Sequence, residues 1–226
     1  MVLRIVVQTV LWLAFTAVVL FVSAGTVRWE GGWTYIVLTA ACSTAVTAWL
    51  FRHDPGLLAE RLKSLVQRDQ KTFDKLLIPV FFLFYYAWLA FMAVDAVRFG
   101  WSRVPFWLQV AGVLFSAAGY WVVFLAFKVN SFAAPVIKIQ RDRHQRLIDS
   151  GPYAAVRHPM YAGALPVFVG TAFILGSWWG LFAAVAVMIP LLLVRILLEE
   201  KTLEKELDGY ADYVKRVRYR LIPGIW

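Results

Sequence analysis

Three polar groups stand out in a chain that is otherwise strongly apolar, and all fall in its last hundred residues. The first is GPYAAVRHPMYAG, Gly151 to Gly163. Gly-Pro marks a turn. Pro159 suits the first position of a helix, where its missing N–H costs nothing. His158 then falls at the N-cap, next to free backbone N–H groups and the positive end of the helix dipole. Such an end attracts a carboxylate or a phosphate. Arg157 either strengthens that preference or snorkels to lipid headgroups. Taken alone, the His-Pro pair is better read as an ordinary helix start with an interfacial histidine.

The second group is RILLEEK, with Arg195 four residues before Glu199 and next to Glu200. Arg195 ends a long apolar run, and an ionisable residue at that depth is a functional hypothesis by default. A carboxylate on the same helical face, such as Glu199, lowers the cost. The order Arg-then-Glu is the weaker one for a surface pair, so local helix support explains it poorly. The third group is NSFAAPVIKIQRDRHQRLIDSGPY, residues 130–153. There the β-branched alternation VIKIQ predicts an extended segment. Together the groups offer cationic donors, carboxylate acceptors and tyrosine rings, which suit a zwitterionic ligand with an aromatic part.

Positioning these residues falls to membrane helices. The chain has 226 residues, 61% of them hydrophobic, with a mean hydropathy of +0.67 and only 16% charged. Soluble domains carry about 25% charge. Six spans are expected: 2–24, 33–51, 76–97, 104–127, 161–176 and 180–198. Each is near the ~20 apolar residues that a bilayer core requires, except the short fifth. Gly176-Ser-Trp-Trp-Gly180 breaks the last apolar stretch into a tight hairpin. The first span is read as a retained helix, since it is too long for a signal-peptide core.

Of the 23 Lys and Arg residues, only Arg28, Arg98 and Arg103 fall on the outer turns when both termini are placed inside. That bias predicts cytoplasmic termini and cytoplasmic polar groups. The net charge of +9 is read as topological, facing anionic lipid, with no nucleic-acid partner. Cys42 stands alone, which excludes an intrachain disulfide and a cysteine-based zinc site, and no metal is expected. The loop 52–75 carries Leu57, Leu58, Leu62 and Leu65 near helical spacing. It is expected to form an interfacial amphipathic helix that anchors the bundle, with a lateral lipid entrance as the alternative. The expected organisation is therefore an all-α integral membrane protein. Residues 1–127 form N-terminal spans, and residues 128–226 form a cofactor and catalytic region at the mouth of the last hairpin, closed by a C-terminal helix.

GPYAAVRHPMYAG, then RILLEE, then GYADYVKRVRYRLIP resembles the isoprenylcysteine carboxyl methyltransferase family, within a wider group that includes membrane phospholipid N-methyltransferases. The likeness covers roughly residues 130–223. It implies S-adenosylmethionine as cofactor. Carried over by motif, it puts Leu147, Ile148 and Tyr153 beside the adenosine. His158, Tyr161 and Glu200 would meet the rest of the cofactor, and Arg195 and Glu199 would stand nearest the reacting centre. It implies O-methylation of a carboxylate on an isoprenoid-type thioether or related acid, reached from the bilayer, with phospholipid N-methylation as the alternative. The chain resembles bacterial members as much as eukaryotic ones, and a bacterial inner membrane is expected. Bacteria generally lack prenylated CaaX proteins, so another isoprenoid, a lipid amine or a small hydrophobic acid remain open as acceptors. A sterol-reductase-like oxidoreductase and a non-enzymatic membrane subunit are the rival readings. Oligomeric state is not legible.

Overall fold

The computed structural model describes residues 1–226, and every regular element is helical. The helices are α1 (Val2–Ala24), α2 (Glu30–His53), α3 (Pro55–Arg61), α4 (Thr72–Ala93), α5 (Phe106–Val129), α6 (Pro159–Ile174), α7 (Trp178–Ala183), α8 (Ile189–Glu206) and α9 (Tyr210–Arg216). The α7–α8 helix is continuous through a π-helical stretch, Ala184–Met188. Pro190, which has no N–H to give, stands two residues beyond that stretch. A second π-helical stretch, Val94–Arg98, prolongs α4. Five helices are long and apolar enough to cross a membrane, and α6 is a shorter apolar one. The chain is an all-α integral membrane protein.

Local chemistry sets the ends that matter. The Asp54 side chain accepts from the Leu57 N–H at 2.8 Å and Pro55 takes the first helical position, so α3 starts there. The Ser177 hydroxyl accepts from the Gly180 N–H at 2.7 Å and starts α7, just after Gly176 turns the chain at φ 78°. That is the expected hairpin.

The hairpin's first arm is fixed by a seam of small residues. Gly112 and Gly119 on α5 face Gly170 and Gly163 on α6. A Cβ on any of the four would stand 2.4–2.7 Å from the facing glycine's carbonyl oxygen. Small residues let membrane helices approach this closely. The core of Leu89, Met92, Ile174, Met188 and Ile196 then joins α4 to both arms. At the hairpin turn, Ser102 and Ser177 donate to the buried Asp95 carboxylate, fastening α4 to the turn.

One expectation needs correction. The loop 52–75 is not one amphipathic helix, because α3 ends at Arg61. Leu57 and Leu58 are buried against Leu50, Phe127 and Ala133, so they pack on protein rather than lipid. The segment Ile137 to Gln140 carries no helix and no sheet pairing, which leaves the expected extended stretch standing. Its Ile137 N–H donates to Asp74 instead of to a sheet partner.

Candidate active site at the mouth of the helical hairpin

His158 is the N-cap of α6 and Pro159 its first residue, so the expected helix start is present. The backbone there is already engaged. The Arg157 and His158 N–H groups donate to the Tyr219 and Arg220 carbonyls, both at 2.9 Å. The C-terminal tail therefore lies across the start of α6. Arg157 does not snorkel. It is buried, donating through Nε to Glu200 at 2.7 Å and through Nη1 to the Val217 and Arg218 carbonyls at 2.8 Å.

Glu200 is the hub of this clamp. Oε1 also meets His158 Nε2 at 3.2 Å, and Oε2 accepts from Arg220 at 2.8 Å. With only 5% of its surface exposed, Glu200 has its oxygens occupied by this chain's own side chains and does not face the cavity next to it. It joins the start of α6, the end of α8 and the tail.

That cavity has a volume of about 290 Å³, near the lower end of ordinary cofactor sites of about 300–1,000 Å³. Leu147, Ile148 and Tyr153 line one wall with Tyr210 and Tyr213. His158, Tyr161, Arg195 and Glu199 line another. Seven of the eight residues singled out by motif thus border one cavity, and Glu200 stands behind it.

The tyrosine wall is knitted together. The Tyr213 hydroxyl donates to the Tyr153 carbonyl at 2.7 Å, and Asn130 Nδ2 donates to the Tyr153 hydroxyl at 2.8 Å. Burial pushes the Tyr153, Tyr210 and Tyr213 phenols above their ordinary range, so they remain neutral hydroxyls. The buried Tyr210 hydroxyl has no partner within the chain.

Arg195 and Glu199 do not pair with each other, contrary to the sequence expectation. Arg195 Nε donates to Asp74 at 3.1 Å and Nη2 to the Pro135 carbonyl at 2.8 Å. Glu199 instead accepts from the Tyr161 hydroxyl at 2.6 Å. The guanidinium carbon lies 5.7 Å from the centre of the Tyr161 ring. Asp74 is fully buried at the start of α4, and its second oxygen takes the Gln70 amide and the Ile137 N–H, both at 2.8 Å. One carboxylate from the first half of the chain thereby fixes both Arg195 and the loop over the cavity.

Sequence reasoning missed Arg61, which lines the cavity, and Asp74, which stands behind it and holds Arg195. Asp74 had a signal, since it is an acid at the threshold of an apolar span. Arg61 had none beyond its place at the end of a short leucine-rich helix. Across the loop, Lys138 bridges Glu60 and Asp69 at 3.0 Å each, tying the cavity's cover to α3.

Comparison with known proteins bears on the protein group. Residues 107–208 match the family model for phospholipid methyltransferases. The chain is also 37% identical over 84 residues to protein-S-isoprenylcysteine O-methyltransferase B of Arabidopsis thaliana. That match covers 36% of this chain and 42% of the plant protein. Both matches support the membrane methyltransferase group.

Proposed function

We propose that this chain is an integral membrane methyltransferase that uses S-adenosylmethionine to O-methylate a carboxylate on a hydrophobic, isoprenoid-thioether-like acid. The observation that carries the reading is one cavity lined both by Arg195, locked by Asp74, with Glu199, and by Tyr153, Tyr210 and Tyr213. The residues fit the cofactor. Leu147, Ile148 and Tyr153 offer an apolar and aromatic bed for an adenine. The unpartnered Tyr210 hydroxyl offers a polar contact on that bed. Glu199 offers an acceptor for an ammonium group or for the developing polarity around a sulfonium.

When bound, S-adenosylmethionine supplies a methyl group already activated on a sulfonium. The chain's own contribution is placement, which for aligned reactants is worth about 7–11 kcal/mol. Arg195 orients an ionised carboxylate, which needs no base at neutral pH. The Tyr161 hydroxyl holds Glu199 in one rotamer. The Glu200 clamp with Arg157, His158 and Arg220 keeps the tail across the α6 start and shields the cavity from water. Residues 128–226 supply most of this machinery. The mouth is read as cytoplasmic on the Lys and Arg bias, and the membrane as a bacterial inner membrane.

Calorimetry in detergent tests the reading. Micromolar binding of S-adenosylhomocysteine is expected. Binding of NADPH in its place would favour a sterol-reductase-like oxidoreductase. The phospholipid family match favours a second acceptor, a lipid amine, for which Glu199 would serve as the base. Methyl transfer to phosphatidylethanolamine, with none to a thioether carboxylate, would select that acceptor.

A further inference from the structure

Arg61 is the last residue of α3, and it lines the cavity. Its partners are few. Nη1 donates to the Ala133 carbonyl at 2.9 Å, and the guanidinium carbon lies 4.5 Å over the Phe127 ring. No carboxylate pairs with it, and the nearest charged influence is a second cation, Arg195. Its Nε and Nη2 donate to no group of the chain, and neither is sealed away from open space. Burial, reinforced by Arg195, lowers its pKa to about 10.

A half-buried guanidinium without a counter-charge is costly to keep. Arg195 has Asp74, while Arg157 and Arg220 share Glu200. Half-buried Arg143 also lacks an acid, but it donates to Gln140 Oε1 at 2.6 Å and does not line the cavity. The α3 leucines Leu57 and Leu58 are buried against Leu50, Phe127 and Ala133, so the backbone that carries Arg61 is fixed. A fixed, unpaired planar fork facing a ligand cavity matches one chemical group in particular, a carboxylate.

We infer that Arg61 receives the carboxylate of a bound ligand, making α3 part of the binding site rather than only an anchor. The inference rests on the methyltransferase reading for the identity of the ligands. Two carboxylates meet in such a site, that of the acceptor and that of the cofactor's amino-acid tail. Arg61 and Arg195 would then flank the ligand from two elements, one on each half of the chain.

The test uses the full-length protein in detergent with three probes: S-adenosylhomocysteine, a long-chain S-alkyl thioether carboxylate, and the neutral amide of that acid. Wild type is expected to bind the acid at least tenfold tighter than the amide. Arg61→Gln is expected to lose that preference, by about ten- to a hundredfold, the worth of one charge-assisted hydrogen bond. Affinity for S-adenosylhomocysteine that stays within about twofold assigns Arg61 to the acceptor, on the same scale. A tenfold loss for S-adenosylhomocysteine with the acid preference intact assigns it to the cofactor tail. Arg61→Lys, which keeps the charge and the stem but not the fork, is expected to fall between and serves if the Gln variant does not fold. Equal affinities in wild type and variants for all three probes overturn the inference. Failure of wild type to bind S-adenosylhomocysteine refutes the methyltransferase reading instead, and the acid-against-amide comparison still judges Arg61.

Discussion

Replacing Asp74 by Asn should damage the site more than removing the whole ion pair. The change keeps shape but removes the charge and turns one acceptor into a donor. Asp74 meets three donors: Arg195 Nε at 3.1 Å, the Gln70 amide and the Ile137 N–H, both at 2.8 Å. Whichever way the Asn amide is turned, its NH₂ faces a donor. Breaking a buried pair by removing one partner costs about 3–5 kcal/mol. Arg195 keeps 16% side-chain exposure and the Pro135 carbonyl, so the lower end applies, near 3 kcal/mol. That corresponds to an apparent melting temperature about 6–12 °C lower for a chain of this size. Released from Asp74, Arg195 should lose its alignment, and kcat should fall about a hundredfold. Adding Arg195→Met to Asp74→Asn removes the stranded cation. The double variant should recover stability, with a coupling of about 2 kcal/mol, while staying inactive. Thermal unfolding in detergent and methyl-transfer rates on the four proteins measure the cycle. If the two single losses add to within about 0.5 kcal/mol, the lock does not operate.

Glu200→Gln should free the C-terminal tail, because Arg157, His158 and Arg220 lose their shared carboxylate. Faster trypsin cleavage after Arg218 or Arg220 and at least tenfold weaker S-adenosylhomocysteine binding are expected; unchanged cleavage would contradict the clamp. Gly119→Val should separate α5 from α6, since even its Cβ would meet the Gly163 carbonyl at 2.4 Å. Overpacking of this kind costs about 1–3 kcal/mol, read as a lower melting temperature. The loop over the cavity should be held between acidic and strongly basic limits. Burial raises the Glu60 and Asp69 carboxyls, but their contacts with Lys138 and Lys63 outweigh it and hold both below their ordinary values. Their stabilising effect is therefore present above ordinary values of 4.5 and 3.8 and lost as pH falls through the lower folded ones. Burial lowers the Lys138 amine, but Asp69 and Glu60 outweigh it and raise it overall. Its effect is present below the ordinary 10.5 and lost as pH rises past the folded value. Hydrogen exchange of residues 136–140 against pH should show protection fading at both ends.

The features legible from sequence were the local ones. Pro159 after His158 marks a helix start whatever the rest of the chain does, and Gly176-Ser177 marks a turn by its own backbone and hydroxyl chemistry. Apolar runs located the spans to within a few residues, because a bilayer sets their length. The motif likeness brought Leu147, Tyr153, Tyr161, Arg195 and Glu199 to one cavity across stretches that share no periodicity. The failures also share a cause. The leucines of 52–75 were read as a lipid-facing helix because spacing reports an apolar face and not what covers it. Phe127 and Ala133, remote in sequence, do the covering.

Partner choice was the least legible property. Arg195 has carboxylates four and five residues away on its own helix, yet it pairs with Asp74, 121 positions earlier. The reason is geometric. Glu200, one residue beyond Glu199, turns toward the α6 start and is consumed by Arg157 and Arg220. Glu199 faces Tyr161, whose hydroxyl reaches it at 2.6 Å. Arg195, a turn deeper, stands level with the first turn of α4, where a fully buried acid needs a cation as much as the arginine needs an acid. Because Asp74, Glu199 and Glu200 are committed in this way, Arg61 is left without an acid among the cavity's three shielded guanidinia, the fourth, Arg146, being exposed. The same accounting that corrected the sequence reading of Arg195 is what leaves Arg61 free for a ligand.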